Sequence, residues 1–161
     1  MQSTRDLEEP TPESVVDRRY LVKREIARGG MGSVFEAEHV VTRAKVALKT
    51  LTRPALDHAS AHARLMREAR VLGAIRHPNV VYVQDAGSCP KHGPFIALEM
   101  IDGRPLDGIL VARQRLPVPQ AVAMTVQLCD ALETVNRRGI VHRDVKPSNV
   151  LISRLPNGDQ V

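Results

Sequence analysis

The stretch His142-Arg143-Asp144-Val145-Lys146-Pro147-Ser148-Asn149-Val150-Leu151 places an acid, a cation and an amide within a few residues of one another. An Asp can accept the proton of a hydroxyl, an Asn five positions on can hold a divalent metal, and a Lys between them can neutralise a phosphate. This is the set that phosphoryl transfer from ATP to a hydroxyl requires of a single loop.

Further upstream, Ile26-Ala27-Arg28-Gly29-Gly30-Met31-Gly32-Ser33-Val34 reads as a strand, a glycine turn and a second strand. Glycines there let backbone N–H groups approach phosphate oxygens with no Cβ in the way, although such a turn is equally a plain hairpin turn. On the next strand, Val46-Ala47-Leu48-Lys49 puts Ala47 and Lys49 on one face, where small Ala47 leaves room for a flat ring. An isolated strand lysine is ordinarily just solvated. Glu68 stands mid-helix and can reach a lysine on a neighbouring strand; its alternative is an ion pair with Arg64 or Arg67 of its own helix.

The elements that must position these residues follow from periodicity and punctuation. Residues 1–19 carry Pro10, Pro12 and several acids with few apolar side chains, and are expected to be a flexible lead. Tyr20 to Ala27, Ser33 to Val40 and Ala44 to Leu51 alternate as three antiparallel strands. Ala61, Leu65, Leu72 and Ile75 recur at near-helical spacing over Ala59 to Ala74, and His77-Pro78-Asn79 closes that helix. Val80 to Ala86 and Pro94 to Met100 read as two more strands.

Beyond these, Pro105 to Arg113 is a short helix and Pro117 to Arg138 a longer one, with Pro119 in its first turn and Gly139 as its stop. The longer helix has two apolar stripes: Val118, Val122, Val126 and Cys129 on one, and Ala121, Thr125, Leu128, Leu132 and Val135 on the other.

Composition narrows the function classes. Hydrophobic residues are 43% and charged residues 25% of the 161, which is globular, while aromatics at 2% leave the core to aliphatic side chains. The formal charge of +5 is scattered rather than clustered, and no aromatic ladder is present for stacking bases, so nucleic-acid binding is not expected. Cys89 and Cys129 are isolated, which fits a reducing, cytoplasmic setting. No membrane-spanning run is present. His58 and His62 share a helix face without a third ligand or the Glu of a metalloprotease motif.

Taken together, Ala27 to Val34, Val46 to Lys49, Glu68 and His142 to Leu151 resemble a bacterial eukaryotic-like (Hanks-type) serine/threonine protein kinase. The resemblance starts near Tyr20 and runs to the end of the chain. Lys146-Pro147-Ser148-Asn149 is similar to the serine/threonine rather than the tyrosine class.

The fold it implies is α+β. A five-stranded antiparallel N-lobe with one helix spans 20–101, and the first helices and catalytic loop of an incomplete C-lobe span 102–161. The cofactors implied are ATP and Mg²⁺, and the implied partner is a protein Ser or Thr substrate.

The same resemblance implies individual roles. Ile26, Ala27, Gly29, Gly30 and Gly32 would form the loop over the phosphates. Lys49 would hold the α- and β-phosphates, and Glu68 would position Lys49. Val34 and Ala47 would cap the adenine on one side and Leu151 on the other. Leu98 would be the gatekeeper, and Glu99 to Ile101 the hinge. Asp144 would orient the substrate hydroxyl and take its proton, Lys146 would steady the γ-phosphate, and Asn149 would hold one Mg²⁺.

Two departures from the family pattern stand out. Ala27 replaces a usual Gly, at little cost if its φ is negative. No Asp-Phe-Gly follows the strand that Gln160-Val161 would begin, so the partner Asp for the metal is absent from the chain. The expectation is a domain truncated before its activation segment, with little activity alone and with one stripe of the 117–138 helix left for water or a protein partner. The alternatives are a nucleotide-binding pseudokinase or regulatory module, and a non-functional truncated gene product.

Overall fold

The computed structural model describes residues 7–153, so the strand expected at Gln160-Val161 lies outside the described residues. The chain divides into two compact units. One comprises residues 1–76 and 81–100, and the other residues 77–80 and 101–161.

The first unit is built on a six-stranded antiparallel sheet ordered β1-β2-β3-β4-β6-β5. Its strands are β1 (Val15–Val16), β2 (Tyr20–Arg28), β3 (Gly32–His39), β4 (Lys45–Leu51), β5 (Val83–Cys89) and β6 (Gly93–Glu99). Strict alternation decides which face each strand buries. Phe35 and Ala37 of β3 and Val46 and Leu48 of β4 enter one core cluster with Tyr20, Val22 and Phe95. Leu51, Val83 and Ile96 enter a second cluster with helix α2 (Ala59–Gly73) and the single turn α1 (Arg53–Leu56).

Helix α2 presents Ala61, Leu65 and Ala69 to the sheet at i, i+4, i+8. Removing the Leu65 side chain from that contact would cost about 2–5 kcal/mol. The helix ends at Gly73, where the Ala74 and Ile75 N–H groups donate to the Val71 and Leu72 carbonyls, and Pro78 beyond disfavours helical geometry at His77.

Two expectations need correcting. The five expected strands are joined by a sixth, β1, and residues 7–19 are not a loose lead. Val16 is fully buried, and Val15 and Val16 pair with Leu21 and Tyr20. The connecting turn holds Asp17 and Arg18 at φ of 51° and 57°, and the Arg19 N–H donates to the Val16 carbonyl at 3.1 Å. Positive φ at both central residues suits the twist of a tight hairpin. A two-residue strand is too short to show period-two patterning, which is why composition misled.

The second unit contains β7 (Gly103–Pro105), α3 (Leu106–Arg113), α4 (Val118–Asn136), a 3₁₀ turn over Pro147–Asn149 and β8 (Leu151–Ser153). Segment 77–80 joins it rather than the sheet: His77 Nε2 lies 3.0 Å from Asp130 Oδ2, and Asn79 Nδ2 donates to Gln127 Oε1 at 2.9 Å, both on α4. Gly139, at φ 72°, closes α4 by donating to the Asn136 carbonyl. The two apolar stripes of α4 fare differently, and Ala131, which neither stripe included, joins Val135 in burial. Val118, Val122 and Val126 are exposed. Among the described residues no helix is long and apolar enough to cross a membrane.

Candidate active site

The glycine turn links β2 to β3 and is closed by the Gly29 N–H donating to the Gly32 carbonyl at 2.8 Å. Ala27 pairs with Val34 and Arg28 with Ser33 in the flanking ladder. Neither Ala27 nor any glycine of the turn has positive φ, so the methyl of Ala27 is accommodated without backbone strain. Ile26 falls at a register irregularity between Glu25 and Ala27, a bulge that increases local twist just before the turn.

Gly32 is required by close approach. A Cβ there would sit 3.0 Å from the Thr50 carbonyl and 3.8 Å from Lys49 Cε, whereas one on Gly30 would meet nothing within 4 Å. Thr52, which no sequence motif marks, holds the tip from beyond β4: its N–H donates to Met31 O at 3.1 Å and its hydroxyl to Gly30 O at 3.3 Å.

Cross-strand pairing assembles one face of the sheet. Val34 pairs with Lys49, and Ala47 with Leu98. Residues directly opposite on antiparallel strands share a face, so Val34, Ala47, Lys49 and Leu98 lie together. From α2, Glu68 reaches this face, and Lys49 Nζ donates to Glu68 Oε1 at 2.5 Å. The rival pairing of Glu68 with Arg64 or Arg67 is not formed: Arg64 instead directs Nη1 to Met31 Sδ at 3.0 Å.

At the end of β6, Glu99 accepts the Tyr82 N–H on Oε1 at 2.6 Å and donates its own N–H to the Tyr82 carbonyl. Its side chain is therefore committed to the residue that leads into β5. Ile101, from the same expected hinge, falls in the second unit.

In that unit the loop 142–150 is held by its own polar groups. Asp144 Oδ2 lies 2.9 Å from Lys146 Nζ, and Asn149 Nδ2 donates to both the carbonyl and Oδ2 of Asp144 at 2.9 Å. The Lys146 hydrogen bond, followed by that of Asn149, holds the Asp144 carboxyl below the usual carboxylate range. With its amide nitrogen spent on Asp144, Asn149 keeps its carbonyl oxygen for another partner. Arg143 adopts φ 63°, an uncommon conformation for a side-chain-bearing residue and one that recurs at functional sites.

The loop is anchored at its far end. Leu151 pairs with Pro105 and Ile152 with Arg104, and the Leu106 N–H donates to the Val150 carbonyl at 2.9 Å. Gly103 permits this pairing, because a Cβ there would lie 2.9 Å from the Ile152 carbonyl.

A family model described as the protein kinase domain matches residues 20–158. The chain belongs to the protein kinase family. It is 39% identical over 135 residues to the serine/threonine-protein kinase PknH of Mycobacterium bovis, covering 84% of this chain and 22% of that protein. To the serine/threonine-protein kinase pkn2 of Myxococcus xanthus it is 37% identical over 150 residues, covering 92% of this chain and 18% of that protein.

Among solved structures, the PknI kinase domain of Mycobacterium tuberculosis superimposes with a TM-score of 0.77 at 29% identity. That match covers 94% of this chain and 60% of the other. This kinase chain thus spans about a fifth of the curated relatives it matches and 60% of that solved domain.

Proposed function

We propose that this chain supplies the nucleotide-binding lobe and catalytic loop of a serine/threonine protein kinase that transfers the γ-phosphoryl group of ATP to a protein hydroxyl. The observation that carries this reading is the Lys49–Glu68 pair on the face shared by Val34, Ala47 and Leu98. Glu68 holds the ammonium in place for α- and β-phosphate oxygens, and the small side chain of Ala47 leaves room for the adenine ring. The glycine turn offers backbone N–H groups to the phosphates, and Gly32 lets the turn lie close against the Thr50 carbonyl beside Lys49.

In the second unit, Asp144 is the base. Its lowered pKa keeps it ionised, ready to take the proton of a Ser or Thr hydroxyl as that oxygen bonds to the γ-phosphorus and the bond to the β,γ-bridging oxygen breaks, leaving ADP. Lys146, already beside Asp144, is the cation for the transferring group.

The donors fit a Mg²⁺-nucleotide. Among the described residues the Asn149 amide oxygen has no hydrogen-bond partner, and it is a hard ligand that suits Mg²⁺ alongside phosphate oxygens and water. When bound, the ion neutralises charge developing on the phosphates. The choice of a protein Ser or Thr substrate follows from the Lys146-Pro147-Ser148-Asn149 motif and the serine/threonine-protein kinase names of the relatives.

Isothermal titration of the 161-residue chain with a non-hydrolysable ATP analogue and Mg²⁺ tests the nucleotide half. Saturable binding that is weakened at least about tenfold by Lys49→Met is expected. Absence of binding, or binding indifferent to Lys49, would overturn it.

A further inference from the structure

The segment before β1 is tied to the glycine turn through one carboxylate. Glu9 is mostly buried, with its side chain 17% exposed. Its Oε1 accepts from Ser33 Oγ at 2.8 Å and pairs with Arg28 Nη2 at 2.7 Å, while Oε2 accepts the Arg53 N–H at 3.2 Å. Arg28 immediately precedes Gly29, and Ser33 immediately follows Gly32. A single side chain therefore clamps both stems of the turn and joins them to the start of α1, next to Thr52, which holds the tip.

Glu9 is itself held from both sides. Leu7 packs against the cluster shared with α2, and its carbonyl accepts from the Arg53 guanidinium. The Glu8 N–H donates to the Lys91 carbonyl at 2.8 Å, and the Glu8 carbonyl meets His92 Nδ1 at 2.9 Å. Burial pushes the Glu9 carboxyl up, but hydrogen bonds from Arg28, Ser33 and the Arg53 amide outweigh it and leave the group below the usual range, hence ionised.

We infer that Glu9 is a positioning residue for the phosphate-binding turn: residues 7–9 form a strap whose carboxylate fixes Gly29–Gly32, so that seating or release of the strap sets nucleotide affinity. The part concerning nucleotide rests on the function proposed above; the part concerning the turn's rigidity does not. Exchanging the carboxylate for an amide leaves one acceptor oxygen where Arg28 Nη2, the buried Ser33 hydroxyl and the Arg53 N–H shared two, so at least one of these donors loses its acceptor and the clamp on the turn is broken on that side.

The test compares the wild-type chain with Glu9→Gln, and with Glu8→Gln as a control at an exposed neighbour. Amide hydrogen exchange without nucleotide is expected to quicken about tenfold at Gly29 and Thr52 in Glu9→Gln, with the β4–β6 ladder unchanged and Glu8→Gln like wild type. Affinity for a non-hydrolysable ATP analogue with Mg²⁺ is expected to fall at least about fivefold.

Unchanged exchange at Gly29 and Thr52 overturns the strap. Faster exchange with unchanged affinity overturns its coupling to nucleotide. If the wild-type chain binds no nucleotide, the proposed function fails, and the exchange arm still decides whether Glu9 fixes the turn. Should Glu9→Gln lose protection throughout the sheet, Ser33→Ala removes the same bond from the other side and must give the same local quickening.

Discussion

Lys49 Nζ lies 2.5 Å from Glu68 Oε1, joining the middle of β4 to the middle of α2. The two side chains are 30% and 35% exposed, so solvent screens the pair and its share of stability is about 0–1 kcal/mol. Its consequence is positional. Lys49→Met and Glu68→Gln are each expected to weaken binding of an ATP analogue at least about tenfold while moving the thermal midpoint by only about 4 °C or less. Calorimetric titration beside a melting curve separates the two effects. A large loss of stability with intact affinity would assign the pair to folding instead.

The turn discriminates between its glycines. A Cβ at Gly32 would press on the Thr50 carbonyl at 3.0 Å, a backbone atom held in the β3–β4 ladder, whereas Gly30 has open space. Gly32→Ala is expected to cost about 1–3 kcal/mol in urea unfolding and to weaken nucleotide binding. Gly30→Ala should leave stability within about 0.5 kcal/mol of wild type. Equal effects at both positions would contradict this packing.

Asp144 supplies a pH prediction. Hydrogen bonds from Lys146 and then Asn149 depress its pKa, so the carboxylate persists to lower pH than an ordinary Asp. Any stabilisation of the loop from these bonds is present above the unfolded pKa and disappears as pH falls through the depressed folded value. Carboxyl NMR titration should find the Asp144 midpoint below the usual range, and Lys146→Met should move it upward. A midpoint indifferent to Lys146 would remove that lysine as the cause.

What could be read in advance depended on how local the cause was. The alternation of Ser33, Phe35 and Ala37 and the spacing of Ala61, Leu65 and Leu72 are each fixed within one element, and the structure places each within the element expected from the sequence, although Ile75 falls just beyond the helix end. The ordered lead was not legible. Glu9 finds Ser33 across 24 residues and Arg53 across 44, and Arg19 and Tyr20 find Asp85 across 66 and 65. No periodicity records such pairings, and an acidic, proline-containing segment looks loose until its acceptors meet distant donors. The role of Thr52 is illegible for the same reason, since its partners Met31 and Gly30 lie on the far side of a strand pair.

One buried hydroxyl makes a stability prediction with the opposite sign. Thr50 is fully buried on β4, and its Oγ1 has no hydrogen-bond partner among the described residues. Ser33, directly across the ladder, spends its hydroxyl on Glu9 rather than on Thr50. An unsatisfied buried hydroxyl costs about 1–3 kcal/mol, and valine offers nearly the same shape without that cost. Thr50→Val is therefore expected to raise unfolding free energy by about 1 kcal/mol in urea titration. Because Thr50 and Lys49 project to opposite faces of the strand, the nucleotide affinity should not change. A lowered urea midpoint would mean that the hydroxyl is satisfied after all.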